Sequence, residues 1–508
     1  MITEVSSFAF KGVDVSEVSI QIHIQNGIPS FNIVGLPDKT IAESKERINS
    51  ALYNIGLGLP IKKIIVNLSP ANLMKEGSLY DLPIILGILE NIGVIPKDAL
   101  CQYFALGEIS LDGRITPVNG VLPAAVFANQ KNKGIICPKE NGAEAAWSGN
   151  QLILSTNHVA NLIAHFKNLQ KITYPELNNV TSENVIDIDL HDVIGQNTAK
   201  RALEITAAGK HNLLMVGPPG SGKSMLAERV ITILPTLTKE EILETSMISS
   251  IAGNLKNGRL LQKPPFRAPH HSCSNAAMIG GGNKRQISPG EISLAHNGVL
   301  FLDELPEFQK NVIESLRQPL ENKKINISRS NSYVSYPANF QLIAAMNPCK
   351  CGYVGQKNKS CTKAPKCVFE YVNKISGPIY DRFDLYVEVP EVKPSTISQY
   401  QNVSRETSEA IRARVIKARE IQYLRYKEEK FTTNSEIPTK LINKFILFSE
   451  KARAILEQVS IKLNVSMRSY HKIQKLSRTI ADLDNSEIIK EEHLLEAATY
   501  RDTFIKEI

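Results

Sequence analysis

The chain has 508 residues, which is long enough for about two to four domains, each with its own hydrophobic core. Its formal net charge of +8 is small for this length, so the composition permits contact with nucleic acid without requiring it. No apolar run reaches the ~18–20 residues of a membrane span, and the first residues lack the basic-then-apolar order of a signal peptide. We therefore expect a cytoplasmic protein that makes no membrane contact.

Four segments follow one another along the chain. Residues 1–168 alternate short apolar strands with helical stretches, which predicts a compact α/β domain. Residues 169–190 are rich in Asn, Ser, Thr and acids, and we interpret them as a linker. Residues 191–392 again read as α/β, and residues 393–508 as mostly helical.

A phosphate-binding loop is predicted at residues 217–224, which read Gly-Pro-Pro-Gly-Ser-Gly-Lys-Ser. Glycines let successive backbone N–H groups point at phosphate oxygens, Lys223 reaches the β- and γ-phosphates, and Ser224 offers a hydroxyl to Mg²⁺. An apolar strand precedes the loop and a helix follows it, as this motif requires. The nucleotide-binding residues are predicted to be Gly217, Pro218, Pro219, Gly220, Ser221, Gly222, Lys223 and Ser224.

An acidic pair closes the apolar strand at residues 299–304, which read Val-Leu-Phe-Leu-Asp-Glu. Asp303 is suited to hold Mg²⁺ through water, and Glu304 to orient or deprotonate the attacking water. Acids at a strand end are also often simply solvated, but a phosphate-binding loop in the same segment favours the functional interpretation. Together the two motifs predict an ATP-hydrolysing core that uses Mg²⁺.

Four of the seven cysteines lie between residues 349 and 367. Cys349 and Cys351 form a C-x-C pair, and Cys361 and Cys367 follow after nine and five intervening residues. Four thiolates are the number that a tetrahedral structural zinc site requires. We predict a zinc site within this insert and expect the other cysteines to be packing residues.

The motifs resemble those of the Mg-chelatase-like AAA+ proteins of the ComM/YifB type, and the resemblance extends over essentially the whole chain. Its most specific segments are residues 31–38, 266–272, 289–308 and 375–385. It implies a central AAA+ P-loop core with αβα layers and inserts, followed by a C-terminal helical lid.

The resemblance also implies roles for three further residues. Asn347 matches the sensor that positions the lytic water, although an Asn can also simply satisfy a strand end. Arg382 matches the arginine finger that reaches the γ-phosphate held by a neighbouring subunit, although Asp381 and Asp384 beside it permit a local salt bridge. Arg468 resembles the second sensor arginine of the lid, and whether it acts in cis or in trans stays open.

An arginine finger that acts in trans implies an oligomer, and the resemblance points to a homo-hexameric ring with ATP between subunits. Residues 193–196 match the segment that borders the adenine.

The candidate channel elements are the insert 253–290 and a predicted hairpin at 323–338, whose cations would meet DNA phosphates. A single cation on such a loop is as often only solvated. These cations are Lys256, Arg259, Lys263, Arg267, Lys284, Arg285, Lys323, Lys324 and Arg329.

A histidine pair and a basic helical stretch have simple structural explanations. His270 and His271 have no partners at metal-ligand spacing in the sequence, so we expect packing or hydrogen bonding from them. The helical stretch 411–422 carries basic residues on its polar side, and such a face is usually only solvated.

The N-terminal domain resembles the proteolytic domain of Lon, most closely at residues 107–125. Lon cuts with a serine that a lysine activates. Ser78 is near the serine position, but Leu122 falls where the lysine should be, and an unactivated serine is a weak nucleophile at neutral pH. Unless Lys75 or Lys62 substitutes for that lysine, the domain is expected to be a non-catalytic scaffold.

Two classes of function compete at this point. The first is an ATP-dependent DNA motor, a hexameric helicase that promotes branch migration during recombination in natural transformation, as the resemblance implies. The alternative is a protein-remodelling ATPase, either a chelatase motor subunit or a regulator of a protein partner. The Lon-like domain, the cysteine insert and the basic inserts favour the DNA motor.

Overall fold

The computed structural model describes residues 2–73, 75–176, 188–281, 287–329, 332–352, 354, 363, 365–392, 405–462 and 466–501. Strands and helices alternate over the first two regions, and the last region is helical. Among the described residues, no helix is both long enough and apolar enough to cross a membrane.

The N-terminal domain is built on a mixed sheet. Its strands are β1 (Ile2–Lys11), β2 (Asp14–Gln25), β3 (Ser30–Val34), β4 (Lys63–Ser69), β5 (Tyr103–Ala105), β6 (Glu108–Ile109), β7 (Ile115–Thr116), β8 (Gly134–Pro138) and β9 (Ile153–Thr156). Its helices are α1 (Lys39–Asn54), α2 (Asp81–Asn91), α3 (Val121–Gln130), α4 (Gly142–Ala146) and α5 (Val159–Phe166). Seven strands pair in the order β3-β4-β2-β1-β5-β8-β9, with β6 and β7 as a separate ribbon.

The central region contains a second sheet with two small hairpins. Its strands are β10 (Leu213–Val216), β11 (Phe266–Arg267), β12 (Gly280–Gly281), β13 (Ser288–Pro289), β14 (Val299–Leu302), β15 (Lys324–Arg329), β16 (Ser332–Pro337), β17 (Gln341–Met346) and β18 (Leu385–Glu388). Its helices are α6 (Asn197–Gly209), α7 (Lys223–Ile233), α8 (Lys239–Ile251), α9 (Asn275–Ile279), α10 (Glu291–Leu294), α11 (Lys310–Ser315), α12 (Arg317–Asn322), α13 (Lys366–Val372) and α14 (Gly377–Tyr380).

Five of these strands form a fully parallel sheet in the order β11-β14-β17-β10-β18. Every residue of β10, β14 and β17 is buried, as expected for a parallel sheet that is covered on both faces. One core lies between the sheet, α6, α7 and the C-terminal helices, and a second lies on the opposite face under α9–α12. This arrangement confirms the predicted αβα core.

The two hairpins extend from this core and touch each other. The predicted hairpin at 323–338 is observed as β15–β16, with Lys324 paired to Pro337. The hydroxyl of Tyr336 on β16 donates a hydrogen bond to the carbonyl of Ile287 beside β13, at 2.7 Å. The β12–β13 and β15–β16 hairpins are therefore packed as one unit.

The C-terminal region contains α15 (Ser408–Arg425), α16 (Ile442–Phe445), α17 (Glu450–Lys462), α18 (Met467–Leu483) and α19 (Glu491–Thr499). Helix α18 begins after Ser466, whose hydroxyl accepts a hydrogen bond from the backbone N–H of Ser469, so this residue caps the helix. Apolar residues of α15, α18 and α19 pack into the same core as α6. The predicted helical lid is thus attached along one face of the parallel sheet.

A buried carboxyl group joins the N-terminal domain to the central region. Oε1 of Glu144 on α4 accepts hydrogen bonds from the hydroxyl of Ser250 on α8 and, at 3.0 Å, from the backbone N–H of Leu122. The backbone N–H of Gly120 donates to the carbonyl of Ser250 at 3.1 Å. Burial raises the pKa of Glu144, and the hydrogen bonds from Ser250 and Asn141 oppose that rise. The first turn of α3 therefore forms a socket for the end of α8.

We expect Glu144→Ala to weaken this junction by about 2 kcal/mol, because the substitution leaves buried donors such as the Ser250 hydroxyl without their acceptor. The chain has one tryptophan, Trp147, and its Nε1–H donates to the carbonyl of Gly258 across the same junction at 3.0 Å. Trp147 fluorescence during urea denaturation therefore reports separation of the two regions. Glu140→Ala, which removes an exposed carboxylate nearby, serves as the control. Equal denaturation midpoints for the two variants would contradict the proposed contribution of Glu144 to the stability of the junction.

Candidate functional site

The phosphate loop connects the carboxyl end of β10 to the amino end of α7. Gly220 and Gly222 have φ angles of 76° and 89°, in the left-handed region that favours glycine. Apart from the adjoining residues of the loop itself, no described residue has a heavy atom within 4 Å of where a Cβ would stand at either glycine. The loop thus leaves an open cradle at a helix N-terminus, where backbone N–H groups favour an anion. This geometry fits a nucleotide phosphate.

Lys223, the first residue of α7, is largely buried, and its amine is held inside the loop. Its Nζ donates to the carbonyl oxygens of Gly217 and Pro218, both at 2.8 Å, and to Oδ1 of Asn347 at 3.2 Å. Burial lowers the pKa of Lys223, while Asp303 and Glu304 act in the opposite direction. The structure therefore brings the loop lysine, the acidic pair and the candidate sensor together at one sheet edge.

Two candidate Mg²⁺ ligands are already in contact. The hydroxyl of Ser224 donates to Oδ2 of Asp303 at 2.5 Å. Asp303 directly follows β14, and Ser224 is the second residue of α7. A hydroxyl beside a carboxylate, next to a phosphate cradle, is a donor set that suits Mg²⁺. These two residues would hold the ion directly or through water.

Glu304 has a fixed backbone and a half-exposed side chain. Its φ is 52°, an uncommon conformation for a residue other than glycine. Its N–H donates to Oδ1 of Asp303 at 2.9 Å, and its carbonyl accepts from the N–H of Glu307 at 2.7 Å. Among the described residues, its carboxylate lies beside the imidazole of His271, with 3.6 Å between Nδ1 and Oε2. Sequence reasoning did not predict this contact.

Residues 193–196 border the phosphate loop, as their proposed place beside the adenine requires. The side-chain N–H of Gln196 donates to the carbonyls of Ser221, at 3.3 Å, and Pro390, at 2.6 Å. A cavity of about 470 Å³ begins at Val193 and is completed by residues of the lid, including Ile411. The volume of this cavity lies in the range of small-molecule sites, so the space between core and lid suits a nucleotide.

Arg382 lies at the opposite edge of the sheet from its own phosphate loop. It precedes β18, which runs parallel to β10 with Leu213 opposite Leu385. The loop follows the other end of β10, so the four-residue strand, roughly 13 Å long, separates the two. Nη2 of Arg382 pairs with Glu321, and its Nε is buried without a hydrogen-bond partner among the described residues.

Arg468 lies beside Arg382 rather than beside the phosphate loop. Both arginines line a cavity of about 400 Å³, which also contains a cluster of cations. Burial alone would raise the pKa of Asp384 there, but Lys472 and His211 hold it well below its usual range. The other basic residues of this cavity are Lys210, Lys323, His471 and Lys475. The geometry therefore groups both arginines on a face that points away from their own ATP site.

Three of the four cysteines of the predicted metal site converge. The sulfur atoms of Cys349, Cys351 and Cys367 all lie within 4.8 Å of one another, and the first two are 3.2 Å apart. Cys361 lies outside the described residues. Cys349 follows Asn347 closely in sequence, and a Cβ at Gly352 would lie 2.4 Å from Cδ of Pro219. The cysteine cluster is therefore packed directly against the phosphate loop.

Three protein-family models together match most of the chain. The model of "Magnesium chelatase, subunit ChlI" matches residues 189–397. The models of "Subunit ChlI of Mg-chelatase" and "Magnesium chelatase, subunit ChlI C-terminal" match residues 20–141 and 405–501.

Full-length relatives decide the family. Competence protein ComM of Haemophilus influenzae is 42% identical over 504 residues, covering 98% of this chain and 97% of its own. The protein YifB of Escherichia coli is 40% identical over 490 residues, covering 96% and 95%. The chain belongs to the ComM/YifB family of Mg-chelatase ChlI-like proteins. The AAA-type ATPase core of this family implies ATP hydrolysis with Mg²⁺.

The cations of the two inserts differ in their surroundings in this ComM/YifB-family chain. Arg267 is not available to a substrate, because Glu291 binds it in a bidentate ion pair at 2.6 and 2.7 Å. Lys323 pairs with Glu436. Lys284 and Arg285 lie outside the described residues. Arg259, Lys263 and Lys324 have exposed side chains, whereas the side chains of Lys256 and Arg329 lie outside those that the structure describes.

A weaker similarity concerns the N-terminal half. Lon protease 2 of Bacillus subtilis is 24% identical over 197 residues, which cover 35% of this chain and 36% of its own. In this family member Leu122 is fully buried at the socket for α8. Ser78 donates a hydrogen bond to Glu108, and the buried amine of Lys75 donates to three backbone carbonyls. Lys62 is exposed.

Proposed function

We propose that this protein is an ATP-driven DNA motor, a homo-hexameric helicase that promotes branch migration during recombination in natural transformation. The observation that carries the proposal is the grouping of Arg382 and Arg468 at the sheet edge opposite their own phosphate loop. Residues of this kind can complete an ATP site only on a neighbouring subunit, which makes the ring part of the catalytic machinery.

The chemistry at each ATP site follows from the groups at the carboxyl edge of the sheet. Residues 217–224 cradle the phosphates, and Lys223 leaves its carbonyl partners to meet the β- and γ-phosphates. Bound Mg²⁺ would neutralise phosphate charge next to Ser224 and Asp303. Glu304 orients and deprotonates the attacking water, and Asn347 holds that water in line. These roles assign one task to each polar side chain of the cluster.

The transition state is completed from the neighbouring subunit. In-line transfer spreads negative charge over the γ-phosphate oxygens, and a guanidinium supplied in trans stabilises that charge. Arg382 has an unused buried Nε donor among its described contacts, and Glu321 can release its Nη2 when phosphate replaces it. Because Arg468 shares the cavity, we assign it to the same neighbouring ATP site.

DNA is the favoured substrate because exposed cations lie on β15 and in the insert 253–290: Lys324, Arg259 and Lys263. Sequence-independent phosphate contacts suit a motor that must follow any strand. The relative from Haemophilus influenzae is named as a competence protein. This similarity over the full length supports the recombination role.

A protein-remodelling ATPase is the second candidate. The observation that favours it is the match of residues 189–397 to a family named as a subunit of magnesium chelatase, an enzyme of more than one kind of chain. The two candidates use the same ATP site. They differ in whether DNA or a protein binds to the two inserts. Binding and movement of DNA therefore separate them.

We also propose that the cysteine cluster binds one structural zinc ion. Cys349, Cys351 and Cys367 supply three thiolates, and Cys361 the fourth. The zinc would hold the turn after Asn347 against Pro219 of the phosphate loop. Its role is to fix the sensor strand, with no direct part in hydrolysis.

Glu304→Gln should bind ATP but hydrolyse it about 10²-fold more slowly, because the amide cannot accept the proton of water. In the same variant, ATP-dependent strand exchange on labelled three- and four-strand DNA junctions should stop. The measurement is junction movement with ATP and Mg²⁺ beside the unmodified protein. Vigorous ATPase activity without DNA binding or movement in the unmodified protein would favour protein remodelling instead.

Arg382→Ala should lower ATP turnover by about 10³-fold through loss of charge stabilisation in trans. Mixing it with Lys223→Ala subunits should restore part of the activity, because some sites then pair an intact loop with an intact finger. Mixing it with the Lys223→Ala/Arg382→Ala double variant is the matched control and should restore nothing. If no mixture recovers activity, the site does not lie between subunits.

Purified protein should contain about one zinc ion per chain, measured by elemental analysis. Replacing Cys349 and Cys351 by Ser should remove the zinc and lower the melting temperature, because metal binding contributes to folding. Cys101→Ser, at an exposed cysteine away from the cluster, should leave both unchanged. Metal-free protein with normal stability and activity would refute the zinc site.

A further inference from the structure

We propose that His271 is a positioning residue for Glu304 and sets the direction of the carboxylate that activates water. This inference rests on the proposed role of Glu304 and adds a residue to the same site. His271 follows β11, the edge strand that pairs with β14, and Glu304 follows β14. Since Phe266 lies opposite Val299, continuing the register brings His271 opposite Glu304, where Nδ1 and Oε2 are 3.6 Å apart.

The contact matters because the carboxylate of Glu304 has few groups close enough to orient it. Two backbone hydrogen bonds fix the main chain of Glu304, but its side chain is half-exposed and can rotate. Within the described ranges, His271 is the one basic side chain with a nitrogen within 4 Å of this carboxylate. A general base must hold water in a defined direction, and a misplacement of about 1 Å can cost 10²-fold in rate. Catalytic contacts of this length tighten when the substrate is bound.

The imidazole is itself held in place, as a positioning residue must be. Its ring packs against that of His270, with 4.0 Å between the centroids and 35° between the ring planes. The edge of the buried Phe308 approaches it at 6.5 Å, with an interplanar angle of 79°. Nδ1 of His270 lies 2.8 Å from the hydroxyl of Ser272, which fixes the supporting ring as well. The orientation of Nδ1 toward Glu304 is therefore determined by packing.

A purely structural role would not account for this arrangement. Nδ1 of His271 points to the acid proposed as the general base, and the side chain is 36% exposed, so the ring is not a fully buried core residue. Metal binding is not supported, because the cluster of metal-binding type among the described residues is made of cysteines. Positioning of Glu304 explains both the direction and the support of the ring.

The test compares three variants of the full-length protein by steady-state ATP hydrolysis. His271→Ala should lower kcat by about 10-fold and leave KM for ATP within about twofold, because binding does not use this contact. His271→Asn should retain most of the activity, since its side-chain N–H stands at nearly the same place as Nδ1. His271→Leu, which fills the space without a donor, should behave like His271→Ala.

A double-mutant cycle separates positioning from general damage. In the Glu304→Gln background, His271→Ala should cause no further loss, because the carboxylate that it orients is already gone. An equal loss in both backgrounds, a normal kcat in His271→Ala, or no rescue by Asn would overturn the inference. A normal turnover in Glu304→Gln alone would overturn the proposed base itself, whatever His271→Ala does. Melting temperature and nucleotide affinity identify any variant that has simply lost its fold.

Discussion

The parallel pairing of β10 with β17 on one side and β18 on the other determines where every catalytic group lies. Because the strands run in the same direction, the phosphate loop after β10 and Asn347 after β17 meet at one edge. Asp303 and Glu304 reach the same edge from β14. The segment before β18 starts at the other edge, which places Arg382 there. Under the proposed roles, one sheet carries the two halves of an ATP site at opposite ends of its strands, and such halves would meet between two chains.

Much of this could be predicted from the sequence because the motifs are local. Residues 217–224 and 299–304 each contain their own strand end, and the cysteine cluster lies close along the chain. The contact between His271 and Glu304 could not be predicted, because it depends on the register of a two-residue strand. The joint cavity of Arg382 and Arg468 depends on the order of strands and on the docking of the lid, which no short pattern encodes.

The junction between domains gives Leu122, at the position where the sequence comparison with Lon expects a lysine, a structural place in this chain. At the position expected for a lysine, Leu122 is buried and its N–H contributes to the socket that receives Ser250. A lysine at this position would bury a charged amine away from water, and burying an unpaired charge costs free energy. Glu144 and Ser250 are 106 residues apart in sequence, so neither could be recognised as a partner from local patterning. The first turn of α3 serves attachment to the ATPase core.

The N-terminal domain also touches the second insert. At Gly12, where φ is 68°, a Cβ would lie only 2.6 Å from the carbonyl oxygen of Ser335 on β16, so the close approach requires glycine. A cavity of about 230 Å³ lies here between Phe10, Ile251 and Tyr333. Since β15–β16 packs against Ile287 next to β13, the domain contacts a unit that contains both hairpins. Any movement of these hairpins relative to the sheet must therefore either carry the N-terminal domain with it or break the contacts at α8 and β16.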